Sequence, residues 1–498
     1  MPGPASPSAP RTVRSSTSAD ERGSELGASR TRESTGVGRS IAIASAATFV
    51  AFLDTTVVNV ALPDLRRDFS GASLVTLSWV VAIYGVAFAA LLTPGGRLAD
   101  ALGRKAVFLA GFAGFTLASA LCALAPSAAA LIALRALQGV GAAFMIPAAL
   151  GNVLAVAPPD RRIAAVGLWG ATTSIAAAAG PALGGLLIDA FSWRAVFVIN
   201  VPIGLVALWL GWRTLPALKG GRERLPDLLG SLLLGAGAGA LLVALSETAQ
   251  WGWLDGRTLG LAAGGAVALA IALRRAGRHP APALEIGLWR NRDFAVANLA
   301  AAFYGLALFA WLLLCILFMT AQWGYSIVEA GLAATPGAFT SAAAAVVAGR
   351  AVDRRGPRAV VAAGALITAA AGVWVIAAMP EQSNFLGYWL PVGMLAGVGM
   401  GAATVGITGA AARALPPAQF AAGTGMSMTA RQFGGAVGVA ALATILASAD
   451  PGLGGYRAVF ALCTAAALVV LLIAAWLAPA PAPDRSSLQT PAPAEVTP

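Results

Sequence analysis

Charge is what this chain of 498 residues has least of: Asp, Glu, Lys and Arg make up 11 % of it, against 58 % hydrophobic residues. A soluble protein of this length could not cover its surface with so few charges, so lipid must solvate much of it. Cysteine is scarce too. The three present, Cys122, Cys315 and Cys463, all fall inside apolar runs, which argues against a disulfide framework or a thiolate metal site. The single histidine, His279, sits in a basic stretch beside two prolines and reads as solvated. No stretch matches G-x-x-x-x-G-K-[ST], which disfavours ATP as an energy source. Metal-ligand spacings and nucleophile–base arrangements are absent as well. These gaps remove the usual enzyme classes. The expectation is a protein that is not an enzyme and holds no cofactor or metal.

What the chain has is apolar length. A span needs about 20 apolar residues, and fourteen segments qualify: 41–62, 75–95, 106–125, 128–154, 163–188, 194–213, 227–246, 257–274, 294–318, 328–349, 359–379, 386–412, 420–448 and 457–478. The 58 glycines suit membrane helices, where small residues let backbones approach closely. Residues 1–40 and 479–498 lack periodicity and read as disordered tails. With both termini cytoplasmic, the inner loops hold nineteen Lys and Arg and the outer loops five, Arg66, Arg67, Arg194, Arg257 and Arg457. That asymmetry satisfies the positive-inside rule. The net charge of +11 is therefore topogenic, and nucleic-acid binding is excluded. Trp193, Trp251, Trp253, Trp323 and Trp389 fall near the outer face, as an interfacial belt would.

Two charged cassettes between apolar runs read almost alike: Gly96-Arg97-Leu98-Ala99-Asp100-Ala101-Leu102-Gly103-Arg104-Lys105, and Gly349-Arg350-Ala351-Val352-Asp353-Arg354-Arg355-Gly356-Pro357-Arg358. An internal repeat of this kind marks two related membrane-embedded halves, an architecture found mostly in transporters. Each cassette places a carboxylate among guanidiniums in a Gly-bounded turn, which suits an inner-face latch that breaks on rocking. The same residues also fit a simple topogenic loop.

Six polar positions inside spans stand out. Asp54 is expensive in lipid and is a functional candidate by default, as a group that loads and releases protons or as a structural carboxylate paired to a neighbouring helix. Asn59, with Thr55 and Thr56, lies along the same helix. Arg135 shares a face with Gln138, Gly139 and Ala142; it either takes part in charge coupling or snorkels to the outer interface. Arg431 and Gln432, followed by Gly434, Gly435 and Gly438, form a comparable polar face in span thirteen. Asn59, Gln138, Arg431 and Gln432 are candidates for a substrate cavity. Glu329 reads as an interfacial carboxylate, and Trp311 and Trp374 as packed or lipid-facing rings.

In order along the chain, these motifs resemble the major facilitator superfamily, in its fourteen-helix drug:proton antiporter branch. The first cassette resembles that superfamily's loop signature. Leu53-Asp54-Thr55-Thr56-Val57-Val58-Asn59-Val60-Ala61-Leu62-Pro63, Arg135-Ala136-Leu137-Gln138-Gly139-Val140-Gly141-Ala142 and Gly180-Pro181-Ala182-Leu183-Gly184-Gly185 resemble three further motifs of the branch. Ser192-Trp193-Arg194, then Ile199-Asn200-Val201-Pro202-Ile203-Gly204, opens span six as the branch does. The expected latch residues are Gly96, Arg97, Asp100, Gly103, Arg104 and Lys105 with Arg350 and Asp353; the expected proton-coupling residues are Asp54 and Arg135, and the resemblance implies that role for the Arg135 motif. It also implies a helix-packing motif of Gly180, Pro181 and Gly184 that distinguishes exporters.

The expected fold is an all-α membrane protein with 14 transmembrane helices. Residues 41–215 would form an N-terminal six-helix bundle, 216–293 an inserted transmembrane hairpin with inner linkers, and 294–478 a C-terminal six-helix bundle. The expected function is proton-coupled efflux of amphipathic drugs or antibiotics by alternating access. The expected location is a bacterial inner membrane, a setting that the scarcity of lysine (Lys105 and Lys219) and the abundance of alanine suit. The protein would act as a monomer, with the bilayer and a small-molecule substrate as its partners. A proton-coupled nutrient importer would share the fold and Asp54. A membrane-bound sensor or enzyme would need an appended domain or a catalytic constellation.

Overall fold

The computed structural model describes residues 17–217, 227–448 and 452–478. Fourteen long helices follow the expected order of segments. The first six are α1 (Thr17–Val60), α2 (Leu74–Leu102), α3 (Arg104–Ala123), α4 (Ala128–Val156), α5 (Arg162–Ala190) and α6 (Asn200–Thr214). The next two, α7 (Leu228–Ser246) and α8 (Gly256–Ala276), form the inserted hairpin. The last six are α9 (Arg292–Gln322), α10 (Ile327–Arg355), α11 (Pro357–Ala378), α12 (Leu390–Arg413), α13 (Phe420–Ser448) and α14 (Leu453–Ala474). No strand occurs among the described residues. Among the described residues, thirteen helices are long and apolar enough to cross a membrane. The fourteenth, α5, has 29 residues and lies against α1 and α10.

Local chemistry sets the helix ends. Ser73 and Ser127 each accept a hydrogen bond from a backbone N–H three residues on, and Ser326 with Glu329 forms a capping box that opens α10. Glu329 is thus the capping-box carboxylate at a helix start. Gly103 (φ 102°) joins α2 to α3, and Gly356 (φ 79°) joins α10 to α11 at the equivalent place. Those positive φ values strain any residue bearing a Cβ, which explains the glycine in both cassettes.

The pairing pattern of the helices repeats. In the first half α2 and α3 both pack on α4, α1 packs on α4, α5 and α6, and α3 packs on α6. In the second half α10 and α11 pack on α12, α9 on α12, α13 and α14, and α11 on α14. The halves meet through α5 on α10 and α2 on α13, which are equivalent contacts. The hairpin lies outside both sets, with α7 against α2 and α13.

Three expectations need correction or fall outside the described residues. The stretch 17–40, expected to be disordered, continues α1 as helix from Thr17. With four Gly and eight Ser or Thr the stretch has little helix propensity of its own, but extending an existing helix avoids a new nucleation cost. Residues 1–16 and 479–498 of the expected tails lie outside the described residues. The tryptophan belt holds only in part. Trp193 is 2 % exposed, donates to Asp68 (2.8 Å) and packs on Phe69 and Phe197, while Trp389 is buried against Phe318 and Trp323. Trp253 is exposed and donates to Thr444. Aromatic rings find more contact area in each other than in the surrounding interface.

Candidate functional site

Asp54 lies on α1 and Arg135 on α4, and both side chains are fully buried. They form an ion pair through Asp54 Oδ2 and Arg135 Nη1. Gln138, one turn beyond Arg135, donates to Asp54 Oδ1 (2.9 Å) and accepts from Arg135 (2.6 Å). Asn200, at the start of α6, donates to the same Asp54 oxygen at 3.0 Å. Ser119 on α3 accepts from both Gln138 (2.6 Å) and Asn200 (3.3 Å). The guanidinium also donates through Nε to the Val80 carbonyl at 2.9 Å and lies 4.4 Å from the Tyr84 ring centre. Four helices of the first half thus converge on one carboxylate. Arg135 does not reach the interface.

A buried pair of this kind survives because each charge is met by several hydrogen bonds. One group is left over: Arg135 Nη2 has no hydrogen-bond partner among the described residues. The arrangement can hold a single negative charge on Asp54, and a proton added there would release Arg135 from its partner.

The cassettes lie at one end of the bundle. The Asp100 carboxylate accepts from the backbone N–H of Ala421 (3.3 Å) and Ala422 (2.7 Å), in the first turn of α13 in the other half. Arg104 donates to Asp100 (2.7 Å), to the Gly151 carbonyl (3.3 Å) and to the Pro417 carbonyl across the halves (2.5 Å). A Cβ on Gly96 would overlap the Ala421 carbonyl, so glycine permits this contact. In the second copy, Asp353 accepts from Ala164 N–H (3.0 Å) at the start of α5. Both carboxylates therefore meet the positive end of a helix belonging to the opposite half.

The other cassette residues do different things. Arg97 pairs with Glu285 (3.0 Å) and donates to the Pro282 carbonyl (3.1 Å), both in the segment after the hairpin. Lys105 donates to the carbonyls of Trp212 and Leu215, both at 2.7 Å, at the end of α6. A cation there meets the last carbonyls of a helix, its favourable end. Arg350 is exposed. Of the expected latch residues, Asp100, Arg104 and Asp353 are the ones that hydrogen-bond across the halves among the described residues.

Gly180 faces α1, where a Cβ would overlap Thr56 Oγ1, and Gly184 faces Val57. The side chains of Pro181 and Asn59 lie outside the described residues. Arg431 and Gln432 are half-buried on α13, and Arg431 Nε and Gln432 Oε1 have no hydrogen-bond partner among the described residues. They do not meet Asp54, which sits in the other half. Trp311 packs edge-on against Phe460 at 4.9 Å, and Trp374 is exposed. Ser119, Tyr84 and Asn200 were missed as site residues; only a polar residue in an apolar run signalled them.

Known proteins match this chain along most of its length. The family model described as Major Facilitator Superfamily matches residues 44–314 and 294–496. The tetracenomycin C resistance and export protein of Streptomyces glaucescens is 32 % identical over 413 residues, covering 82 % of this chain and 75 % of that one. The cephamycin export protein CmcT of Amycolatopsis lactamdurans is 36 % identical over 432 residues, covering 85 % and 88 %. The puromycin resistance protein pur8 of Streptomyces alboniger is 36 % identical over 406 residues, covering 80 % of each. Among solved structures, the human organic anion transporter MFSD10 (TETRAN) aligns with a TM-score of 0.63 at 16 % identity, covering 88 % of this chain and 99 % of that one. FucP in its outward conformation aligns at 0.60 and 15 % identity, covering 88 % and 98 %. At such identities these two structures carry the fold alone.

Proposed function

The chain belongs to the major facilitator superfamily, and from its buried Asp54–Arg135 pair we propose that it exports amphipathic drugs or antibiotics in exchange for protons. The direction is supported by relatives named for export and resistance. The coupling is supported by one observation: a carboxylate with no solvent contact, held by an arginine, a glutamine and an asparagine from two neighbouring helices. Such a group is costly in a membrane unless it works.

In the proposed cycle the two bundles, 41–215 and 294–478, rock about the site, with the cassette end cytoplasmic and the protein a monomer in a bacterial inner membrane. A proton arriving from outside neutralises Asp54, and Arg135 loses its counter-charge. The first half then repacks, and the Asp100 and Asp353 caps at the cytoplasmic end release. Substrate enters from inside, Asp54 gives up its proton, and the caps close again. The driving force suffices. A proton crossing ~150 mV releases roughly 3.5 kcal/mol at about 2.3 kcal/mol per 100 mV. That sustains roughly a 300-fold gradient of a neutral substrate at about 1.4 kcal/mol per decade.

The test is efflux of a panel of fluorescent dyes of both charges from energised cells, for the wild type and Asp54→Asn. Proton-dependent efflux lost in the variant is the expected result. Efflux that survives the change moves coupling away from Asp54, and accumulation above control cells replaces export with import.

A further inference from the structure

We propose that Arg431 is the docking point for an anionic group, so that the exported compounds are amphipaths bearing a carboxylate or similar charge; this rests on the efflux reading above. Arg431 sits well inside α13, among residues that would lie in lipid or in the transport path. Its Nε has no hydrogen-bond partner, and the guanidinium makes no ion pair among the described residues. Three carboxylates on the long helices of the two halves are already engaged. Asp54 is taken by Arg135, Asp100 by Arg104 and the α13 N-terminus, and Asp353 by the α5 N-terminus. The first half is thus neutral around its buried arginine, whereas the half-buried Arg431 of the second half has no counter-charge among the described residues. A lone guanidinium in so apolar a setting is costly unless a counter-charge arrives.

The surroundings fit an incoming anion. Arg431 lines a cleft with Tyr304, Thr404, Ser427 and, from the other half, Trp169. The Tyr304 hydroxyl is shared with Thr404 Oγ1 (2.5 Å) and donates to the Met400 carbonyl (2.9 Å), which fixes it beside the guanidinium without neutralising it. The Trp169 Nε1 is committed to Thr48 (2.7 Å), so the ring offers an apolar face. The cleft continues to Ala412 and Leu415, at the cassette end of α12. Its free space here is about 20 Å³, enough for a water and not for a drug. Because one wall is α5 and the others are α9, α12 and α13, separation of the halves at the cassette end would widen it. An anionic head would then pair with Arg431 while its apolar body lay against Trp169, a charge-assisted contact of the kind arginine favours.

Two xanthene dyes of opposite charge separate this proposal from the efflux reading on which it rests. Purified full-length protein is reconstituted in proteoliposomes, a pH gradient is imposed, and carboxyfluorescein (anionic) and rhodamine 123 (cationic) transport are compared for wild type, Arg431→Gln and Arg431→Lys. The wild type should transport carboxyfluorescein in preference. Arg431→Gln should lower carboxyfluorescein transport relative to rhodamine 123 by roughly ten- to a hundred-fold, the range for one charged hydrogen-bonded contact. Arg431→Lys should retain the preference for the anion. A wild type that moves rhodamine 123 but not carboxyfluorescein overturns the anion site and leaves efflux standing. Equal loss of both dyes in Arg431→Gln, or an unchanged preference, also overturns it. Failure of every variant and the wild type to move either dye against the gradient overturns both readings.

Discussion

Asp100 and Asp353 occupy the same place in the two repeated cassettes, and each caps the first turn of a helix from the opposite half, α13 and α5 respectively. The two halves are therefore joined at this end twice by one device, a carboxylate against the backbone N–H of a helix start. Asp100 has the stronger version, because Arg104 fixes it and bridges to the Pro417 carbonyl.

Asp100→Asn should weaken this closure by about 1–2 kcal/mol, the scale of a charge at a helix end in a partly buried setting. Spin labels at the exposed positions Leu102 and Ala418 would report it. The distance distribution should gain a longer component in Asp100→Asn and a smaller one in Asp353→Asn. An unchanged distribution in both would remove the caps from the gating device.

Replacing one partner of the buried pair should cost far more than replacing both. Asp54→Leu strands Arg135 in the interior and should destabilise the protein by about 3–5 kcal/mol, whereas Asp54→Leu with Arg135→Met should recover most of that loss. Thermal melting of the purified variants measures it. Additive losses would mean that the two side chains do not share one interaction.

At Gly180 the prediction is steric. A Cβ there overlaps Thr56 Oγ1, so Gly180→Ala must push α1 from α5, costing about 1–3 kcal/mol as overpacking does. Gly264→Ala, with nothing within 4 Å of the added atom, should leave the melting temperature unchanged or raise it. Thr56→Gly on the Gly180→Ala background should restore part of the loss.

The Arg97–Glu285 pair ties the first cassette to the segment that follows the inserted hairpin. Glu285→Gln should free that segment, so limited proteolysis at the exposed Arg278 should quicken. Cleavage at an unchanged rate would show that the Pro282 carbonyl contact and the Asp227–Arg275 pair (2.5 Å) suffice to hold it.

Acid should loosen the opposite end first. Hydrogen bonds from Trp193 and then Arg194 hold the Asp68 carboxyl below its ordinary value. A carboxyl with a lowered folded pKa contributes stability above its unfolded value of about 3.9, and that contribution is lost as pH falls through the folded value. The contribution is small because Asp68 is largely solvated. Trp193 fluorescence should change across that acid range in the wild type and not in Asp68→Asn.

The fourteen helices and the repeat were legible in the sequence because a bilayer demands long apolar runs and because charged cassettes interrupt them at matching places. Asp54 and Arg135 were legible as well, since an ionisable residue inside a span is conspicuous. Their partnership was not. Sequence distance carries no information on which helix faces which, so Arg135 read equally as a coupling residue or a snorkelling one until α1, α3, α4 and α6 were seen to converge. The same holds for the cassettes, where composition offered a ring of arginines and packing assigned Arg97 to the hairpin's linker, Lys105 to the end of α6 and Arg104 to the opposite half. Even the helical start at Thr17 depends on a neighbouring span to extend. Solvent preference is a property of each segment and can be summed along a chain. Charge pairing is a property of two segments brought together, and only the tertiary structure decides it.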